Sequence, residues 1–280
     1  MILADTLVDT WLAEDVPFGD LTSDLLAIGH GPARIRLAAR SAATVCCIEE
    51  AERLLVRCGA EARRHCASGT AVVAGAVLLE ARGPANGLLR AWKTAQTLIE
   101  QTSGIATATA RIVAAARAVV PDLPVECTRK AMPGARALSM RAVLAGGAGM
   151  HRLGLSESVL IFPEHAALVG GWAAVADRMA ALRRAQPCRR IMVEAKTVAD
   201  AVMLAEAGAE VVQVDKLAPE AVREVVERTR PLDPAPAIVA AGGINEHNAA
   251  AYAATGSAAL VTSAPYWARP VDVQVTITGG

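Results

Sequence analysis

The sequence predicts an α/β chain whose later half forms a parallel sheet or a βα barrel. Three observations carry that prediction. From Pro124 onward, short apolar strand-like runs alternate with helical segments. The first third mixes helical and strand patterns without such regularity, and the last segment alternates strictly between apolar and polar residues. Strands that read as continuous apolar runs, separated by helices, are typical of parallel sheets covered on both faces.

In chain order, Leu3, Leu7, Trp11 and Leu12 recur at helical spacing, and the polar turn from Glu14 to Asp20, with Pro17 and Gly19, stops that helix. Ala33–Ala39 and Ala71–Leu79 read as strands around a helix over Ile48–Arg57. A long helical stretch follows from about Leu88 to Val119, with a break expected at Ser103-Gly104. The strand-like runs are then Val125–Cys127, Ser158–Phe162, Ile191–Glu194, Val211–Val214, Ile238–Ala241 and Ala258–Thr262. Thr197 is placed to cap one intervening helix that stops at Gly208, and Pro219 suits the first turn of the next. These six runs fall short of a full eight-stranded barrel. Val271 to Thr278 reads as a half-exposed antiparallel strand that returns to the N-terminal sheet.

Composition narrows the function classes. The 280 residues suffice for one large domain or two unequal ones. Apolar residues make up 53% but aromatics only 3%, so the core is expected to consist of Ala, Val and Leu. Basic and acidic residues number 28 each, which gives no overall attraction to nucleic acid or membrane and makes any basic site local. The most apolar stretch, Ala71–Leu79, holds Gly75 and ends at Glu80, far short of the roughly 18 residues a membrane span requires. Acidic residues come early and no basic leader precedes them, so a cytoplasmic location is expected. The six cysteines form no Cys-x-x-Cys pair and no zinc spacing, and read as small core residues.

In barrel folds, chemistry collects where strands end. Those positions here are Thr128-Arg129-Lys130, Phe162, Glu194, Asp215-Lys216, Gly242-Gly243 and Thr262-Ser263. Of 28 basic residues only four are lysines (93, 130, 196 and 216), and three of these lie within two or three residues of predicted strand ends, where a compact point charge has most effect. His151-Arg152 follows a glycine-rich turn, Gly146-Gly147-Ala148-Gly149, and offers a planar fork plus a proton-dependent donor for a carboxylate or phosphate. Glu194 and Asp215 end successive strands and suit Mg²⁺ near a diphosphate or a developing cation; a salt bridge to Lys196 or Lys216 is the plainer alternative. Ala241-Gly242-Gly243-Ile244-Asn245 is expected to open a helix whose free N–H groups favour phosphate. The Glu14-Asp15…Gly19-Asp20-x-Thr22 segment reads as a helix-capping turn rather than a metal site.

These motifs occur in order across nearly the whole chain. Glu14-Asp15-x-x-x-Gly19-Asp20-x-Thr22, Ser103-Gly104-Ile105-Ala106-Thr107, Thr128-Arg129-Lys130-x-x-Pro133-Gly134, His151-Arg152-x-Gly154-Leu155, Val193-Glu194 and Gly242-Gly243-Ile244 together resemble the nicotinate-nucleotide pyrophosphorylase (quinolinate phosphoribosyltransferase, NadC) superfamily. His151-Arg152-Leu153-Gly154-Leu155-Ser156-Glu157 and Phe162 look most like its ModD branch of pyrophosphorylases, associated with molybdenum transport operons.

The resemblance implies an N-terminal α/β sandwich over residues 1–106, completed by 266–280. It also implies an incomplete α/β barrel of six or seven strands over 107–265, and a homodimer whose partner completes each site. Phosphoribosyl pyrophosphate and Mg²⁺ would bind at the barrel mouth, and a nitrogen base would displace pyrophosphate. On the matching positions, Arg129, Arg152 and His151 would grip a substrate carboxylate, with Lys130 near the reacting centre. Glu194 and Asp215 would lie near the ribose and metal, and Ala241, Gly242, Gly243, Thr262 and Ser263 near the 5′-phosphate, with Thr128 and Lys93 also in the site.

Three departures bear on the substrate. Phe162 stands where the quinolinate enzymes have a lysine, Lys93 where they have an arginine, and Ala241 where they have the serine of Ser-Gly-Gly. Losing a cation at 162 removes a charge-assisted contact of about 1.5–3 kcal/mol. The leading expectation is therefore phosphoribosyl transfer to a carboxylated nitrogen heterocycle other than quinolinate. The alternatives are quinolinate phosphoribosyltransferase of NAD biosynthesis, a non-catalytic oxyanion-binding protein of molybdate handling, and, more distantly, a Schiff-base enzyme using Lys130.

Overall fold

The computed structural model describes residues 3–280, which divide into two compact units. The first runs through Ala110 and takes in Met132–Gly147 and Pro265–Gly280; the second comprises Arg111–Ala131 and Ala148–Ala264.

In the first unit, helix α1 (Asp5–Asp15) is followed by the short α2 (Leu21–Leu25), whose cap is Asp20. The Asp20 carboxylate accepts from the Ser23 hydroxyl and from the backbone N–H groups of Ser23 and Thr22, and these bonds hold its carboxyl below the usual range. Next come β1 (Pro32–Ala39), β2 (Ala43–Thr44), α3 (Ile48–Arg57), β3 (Glu61–Arg64), β4 (Ala71–Val72) and β5 (Val77–Pro84). Ala71–Leu79 is thus not one strand: Gly75 turns the chain at positive φ, and the two halves join different sheets. Helix α4 (Ala85–Arg117) follows, of which the residues through Ala110 belong to this unit, then α5 (Arg136–Ala145) and, at the C-terminus, the last strand, β13 (Val273–Gly279). The main antiparallel sheet has the order β13-β1-β5-β3, with Ile35 opposite Ile277.

One face of that sheet buries Ile35, Leu37, Leu79 and Ala81 with Leu54, Leu55 and Leu88. Each large aliphatic side chain so buried contributes about 1.5–3 kcal/mol. The Arg141 guanidinium on α5 bridges Glu49 and the almost fully buried Glu50 on α3, which ties α5 into this unit. Contrary to the sequence expectation, α4 continues through Ser103-Gly104 without a break. A side chain at Gly104 would put its Cβ 2.4 Å from the carbonyl oxygen of Arg269, so this glycine allows a close backbone approach.

The second unit is a parallel sheet wound with helices. Its elements are β6 (Val125–Cys127), β7 (Gly149–Met150), β8 (Val159–Ile161), α6 (Pro163–Val169), α7 (Gly171–Ala185), β9 (Ile191–Ala195), α8 (Val198–Glu206), β10 (Val211–Asp215), α9 (Pro219–Thr229), β11 (Ala237–Ala241), α10 (Ala249–Ala253) and β12 (Ala259–Thr262). The order is β7-β6-β12-β11-β10-β9-β8, a seven-stranded half-barrel. The seventh strand is β7, two residues long and partly glycine, which carries no apolar pattern to read. Thr197 caps α8 by accepting from the Asp200 N–H, and Pro219 opens α9. Val211, Val239, Ala241, Ala259 and Val261 fill the concave face. Among the described residues, no helix is long and apolar enough to cross a membrane. Of the cysteines, 46, 47 and 127 are buried, whereas Cys188 is exposed rather than a core residue.

Candidate active site

The C-terminal ends of the parallel strands surround a cleft of about 540 Å³. It is lined by Thr128, Arg129 and Lys130 after β6, His151 and Arg152 after β7, and Phe162 and Glu164 after β8. Glu194 on β9, Gln213 and Asp215 on β10 with Lys216, Ala241–Gly243 after β11, and Thr262-Ser263 after β12 complete it. Twelve of the residues expected from the sequence therefore share one cavity. Lys93 does not join them: it lies in the first unit, its Nζ 3.9 Å above the Trp92 ring and donating to Gln96. It lines a separate cleft there with Glu14, Asp15 and Thr94.

Strand order sorts the charges. Arg129, Lys130 and Arg152 follow β6 and β7 at one edge of the sheet, the carboxylates of Glu164, Glu194 and Asp215 lie on or after β8, β9 and β10 toward the other with Lys216 beside them, and the glycine loop after β11 lies between. Arg152 is buried to 5% exposure, and burial, then neighbouring Arg129, disfavours its charged form. Its guanidinium lies 5.5 Å from the centre of the Phe162 ring, which stacks in turn on His165.

His151 presents a buried Nε2 that makes no hydrogen bond among the described residues. Burial, then Arg152, pushes its pKa below the ordinary histidine value, so the ring is neutral at pH 7. The unfolded chain takes up a proton near pH ~6.5 while the folded site resists it, so stability should fall as pH drops through that range. Melting temperatures from pH 8 to 5 should show this slope, and His151→Gln should flatten it. An unchanged slope in the variant would contradict the assignment.

On the acidic side, parallel register sets Gln213 beside Glu194, and Gln213 Nε2 donates to Glu194 Oε2 at 2.6 Å. Burial, then the neighbouring Asp215 charge, raises the pKa of Glu194. Neither Glu194 nor Asp215 makes a salt bridge among the described residues, so the alternative of ion pairs with Lys196 or Lys216 is not realised.

The glycine loop differs from expectation. Helix α10 begins only at Ala249, so Gly242–Asn245 is a loop and not a helix N-terminus. Gly242 and Gly243 both have positive φ. Asparagines hold the loop: Asn245 N–H donates to Asn248 Oδ1, and the side-chain amides of Asn245 and Asn248 both donate to the Gly243 carbonyl. The buried Thr262 hydroxyl donates to the Ile244 carbonyl at 2.6 Å, so its proton supports the loop. Sequence reasoning missed Gln213 and Glu164. The available signal for Gln213 was a lone polar residue inside the apolar run Val211-Val212-Gln213-Val214.

Residues 105–276 match the family model described as quinolinate phosphoribosyl transferase, C-terminal domain, and residues 20–103 match its N-terminal domain. The chain belongs to the quinolinate phosphoribosyl transferase family. It is a pentosyltransferase of the nicotinate-nucleotide pyrophosphorylase type. It is 49% identical over 249 residues to "Putative pyrophosphorylase ModD" of Rhodobacter capsulatus, covering 89% of this chain and 95% of that protein. The human nicotinate-nucleotide pyrophosphorylase [carboxylating] is 32% identical over 86% of this chain and 80% of its own. The solved nicotinate-nucleotide pyrophosphorylase from Francisella tularensis superposes with a TM-score of 0.89 over 99% of this chain and 98% of its own. At 24% identity that likeness speaks for the fold alone.

Proposed function

We propose that this quinolinate phosphoribosyl transferase-family member, ModD-like in sequence, transfers phosphoribose from phosphoribosyl pyrophosphate to a planar, carboxylated nitrogen heterocycle and releases pyrophosphate. The observation that carries the reading is one cleft with Arg129, Lys130 and Arg152 at one edge, Glu194 and Asp215 toward the other and a glycine loop between. Departure of pyrophosphate leaves positive charge on the sugar carbon. Glu194 and Asp215 stabilise that charge where it develops, and Lys130 meets the negative charge of the leaving group. Arg129, Arg152 and neutral His151 hold the acceptor's carboxylate, and the loop at Gly242 and Gly243, with Ser263, lets the 5′-phosphate approach the backbone.

Two adjacent carboxylates, of which Glu194 is made harder to ionise by burial and then by the Asp215 charge, are a hard-oxygen set suited to Mg²⁺. Glu194 and Asp215 would hold the ion, which when bound supplies charge neutralisation for the diphosphate. Mg²⁺-dependent release of pyrophosphate with a panel of pyridine and related carboxylates tests the reading; no release with any of them would overturn it.

Quinolinate itself is the second reading, favoured by the identity to the human nicotinate-nucleotide pyrophosphorylase. Phe162 weighs against it because the cleft has an aromatic ring where a second carboxylate calls for a cation. Oxyanion binding without turnover is disfavoured by the three carboxylates lining the cleft, which repel molybdate.

Lys93 enters the account through a homodimer in which it serves the site of a second copy. Lys93→Ala and Glu194→Ala, each strongly impaired alone, should then recover about a quarter of wild-type activity when mixed and allowed to exchange subunits, as two-fold symmetry requires. A mixture no more active than its components would contradict a shared site.

A further inference from the structure

Gln213 is the one cleft-lining amide, and the proposed function gives it no role. It is 5% exposed, in the interior of β10, two residues before Asp215 and therefore on the same face of the strand. Its amide orientation is fixed by its neighbour: Nε2 must face the Glu194 carboxylate at 2.6 Å, because the reverse orientation would set two oxygens against each other. Oε1 is then a buried acceptor that takes no hydrogen bond from any described residue. A buried polar atom left unmatched costs about 1–3 kcal/mol, so its retention in an otherwise apolar strand calls for a ligand that matches it.

The chemistry of that ligand follows from the neighbours. Glu194, Gln213 Oε1 and Asp215 present oxygen acceptors side by side on the floor and edge of the cleft. A planar heterocycle offers one or two N–H donors at its rim, whereas the vicinal hydroxyls of a pentose offer adjacent donors that match a row of acceptors. We propose that Gln213 is a specificity-determining residue that accepts a hydrogen bond from the 2-hydroxyl of the pentose phosphate, while its N–H anchors Glu194 beside the same sugar. This rests on the reading of the cleft as a phosphoribosyl site.

Isothermal titration with ribose 5-phosphate and 2-deoxyribose 5-phosphate, in the presence of Mg²⁺, tests the assignment on wild type and Gln213→Leu. Wild type should prefer the ribose compound by about threefold to tenfold, the range of one neutral hydrogen bond left unmade. Gln213→Leu should lose most of that preference while binding the 2-deoxy compound within about twofold of wild type, which also shows that the variant is folded. Gln213→Met, of similar length and without the amide, should behave alike. A preference unchanged in both variants would overturn the role of Gln213 and leave the phosphoribosyl reading standing. Failure of wild type to bind either phosphosugar would remove that reading and the assignment with it. A preference that persists while affinity for both sugars falls equally, and is restored by raising Mg²⁺, would mark Oε1 as a metal ligand and also overturn the proposal.

Discussion

Replacing Glu194 with alanine is expected to slow pyrophosphate release by a factor of about 10²–10³, the range typical of removing one preorganised group from a developing charge. The variant also frees Gln213 Nε2, so Glu194→Gln separates charge from position: it retains a partner for that amide and still lacks the negative charge. Both variants should be equally slow if charge at the sugar carbon is what matters. Stability should move the other way. Burial and Asp215 raise the folded-state pKa of Glu194 above its unfolded value, so ionisation near neutral pH opposes folding. That cost is absent below the unfolded pKa and sets in as pH rises through the folded value. Glu194→Gln should therefore melt higher than wild type at pH 7–8 and no higher at pH 4. A variant that is both active and less stable at neutral pH would contradict the role given to Glu194.

The second large effect is expected at Gly242. Its φ is +87°, and a Cβ there would lie 2.4 Å from Asp215 Oδ1, 2.5 Å from Lys216 Cγ and 2.7 Å from Lys216 N. Lys216 itself has a positive φ and donates its N–H to the Ala241 carbonyl at 2.8 Å, so the neighbour has little room to yield. Gly242→Ala should cost about 2–4 kcal/mol, combining a left-handed backbone strained by Cβ with overpacking. It should also displace Asp215 and nearly abolish turnover. Gly243→Ala is the control: it is equally left-handed, with φ +76°, but nothing lies within 4 Å of its Cβ. Its cost should be limited to backbone strain. Thermal melting of the two variants separates clash from strain.

How much of this was legible in the sequence depended on the kind of signal each element carries. Central parallel strands such as Val211–Asp215 and Ala237–Ala241 stand out as apolar runs, and Thr197 and Pro219 mark helix starts by local chemistry. Gly149–Met150 carried no pattern because two residues cannot show a period. Gly104 misled because glycine in a helix signals either a break or a close approach, and only the tertiary contact with Arg269 distinguishes them. The cleft's charged residues were legible because strand ends are fixed once strands are. Gln213 was not, since its role depends on which strand lies beside β10 and in what register. The helix expected at Gly242 failed for a related reason: the asparagine side chains that hold the loop compete with helix formation locally.

Product analysis of phosphoribosyl pyrophosphate incubated with Mg²⁺ and single carboxylated heterocycles, followed by phosphorus NMR, tests the central claim most directly. The account predicts that at least one base yields pyrophosphate and a new 5′-phosphoribosyl nucleotide in equal amounts, and that Glu194→Ala forms both about 10²–10³-fold more slowly. Pyrophosphate without a nucleotide, or no reaction with any base alongside tight molybdate binding, would contradict it.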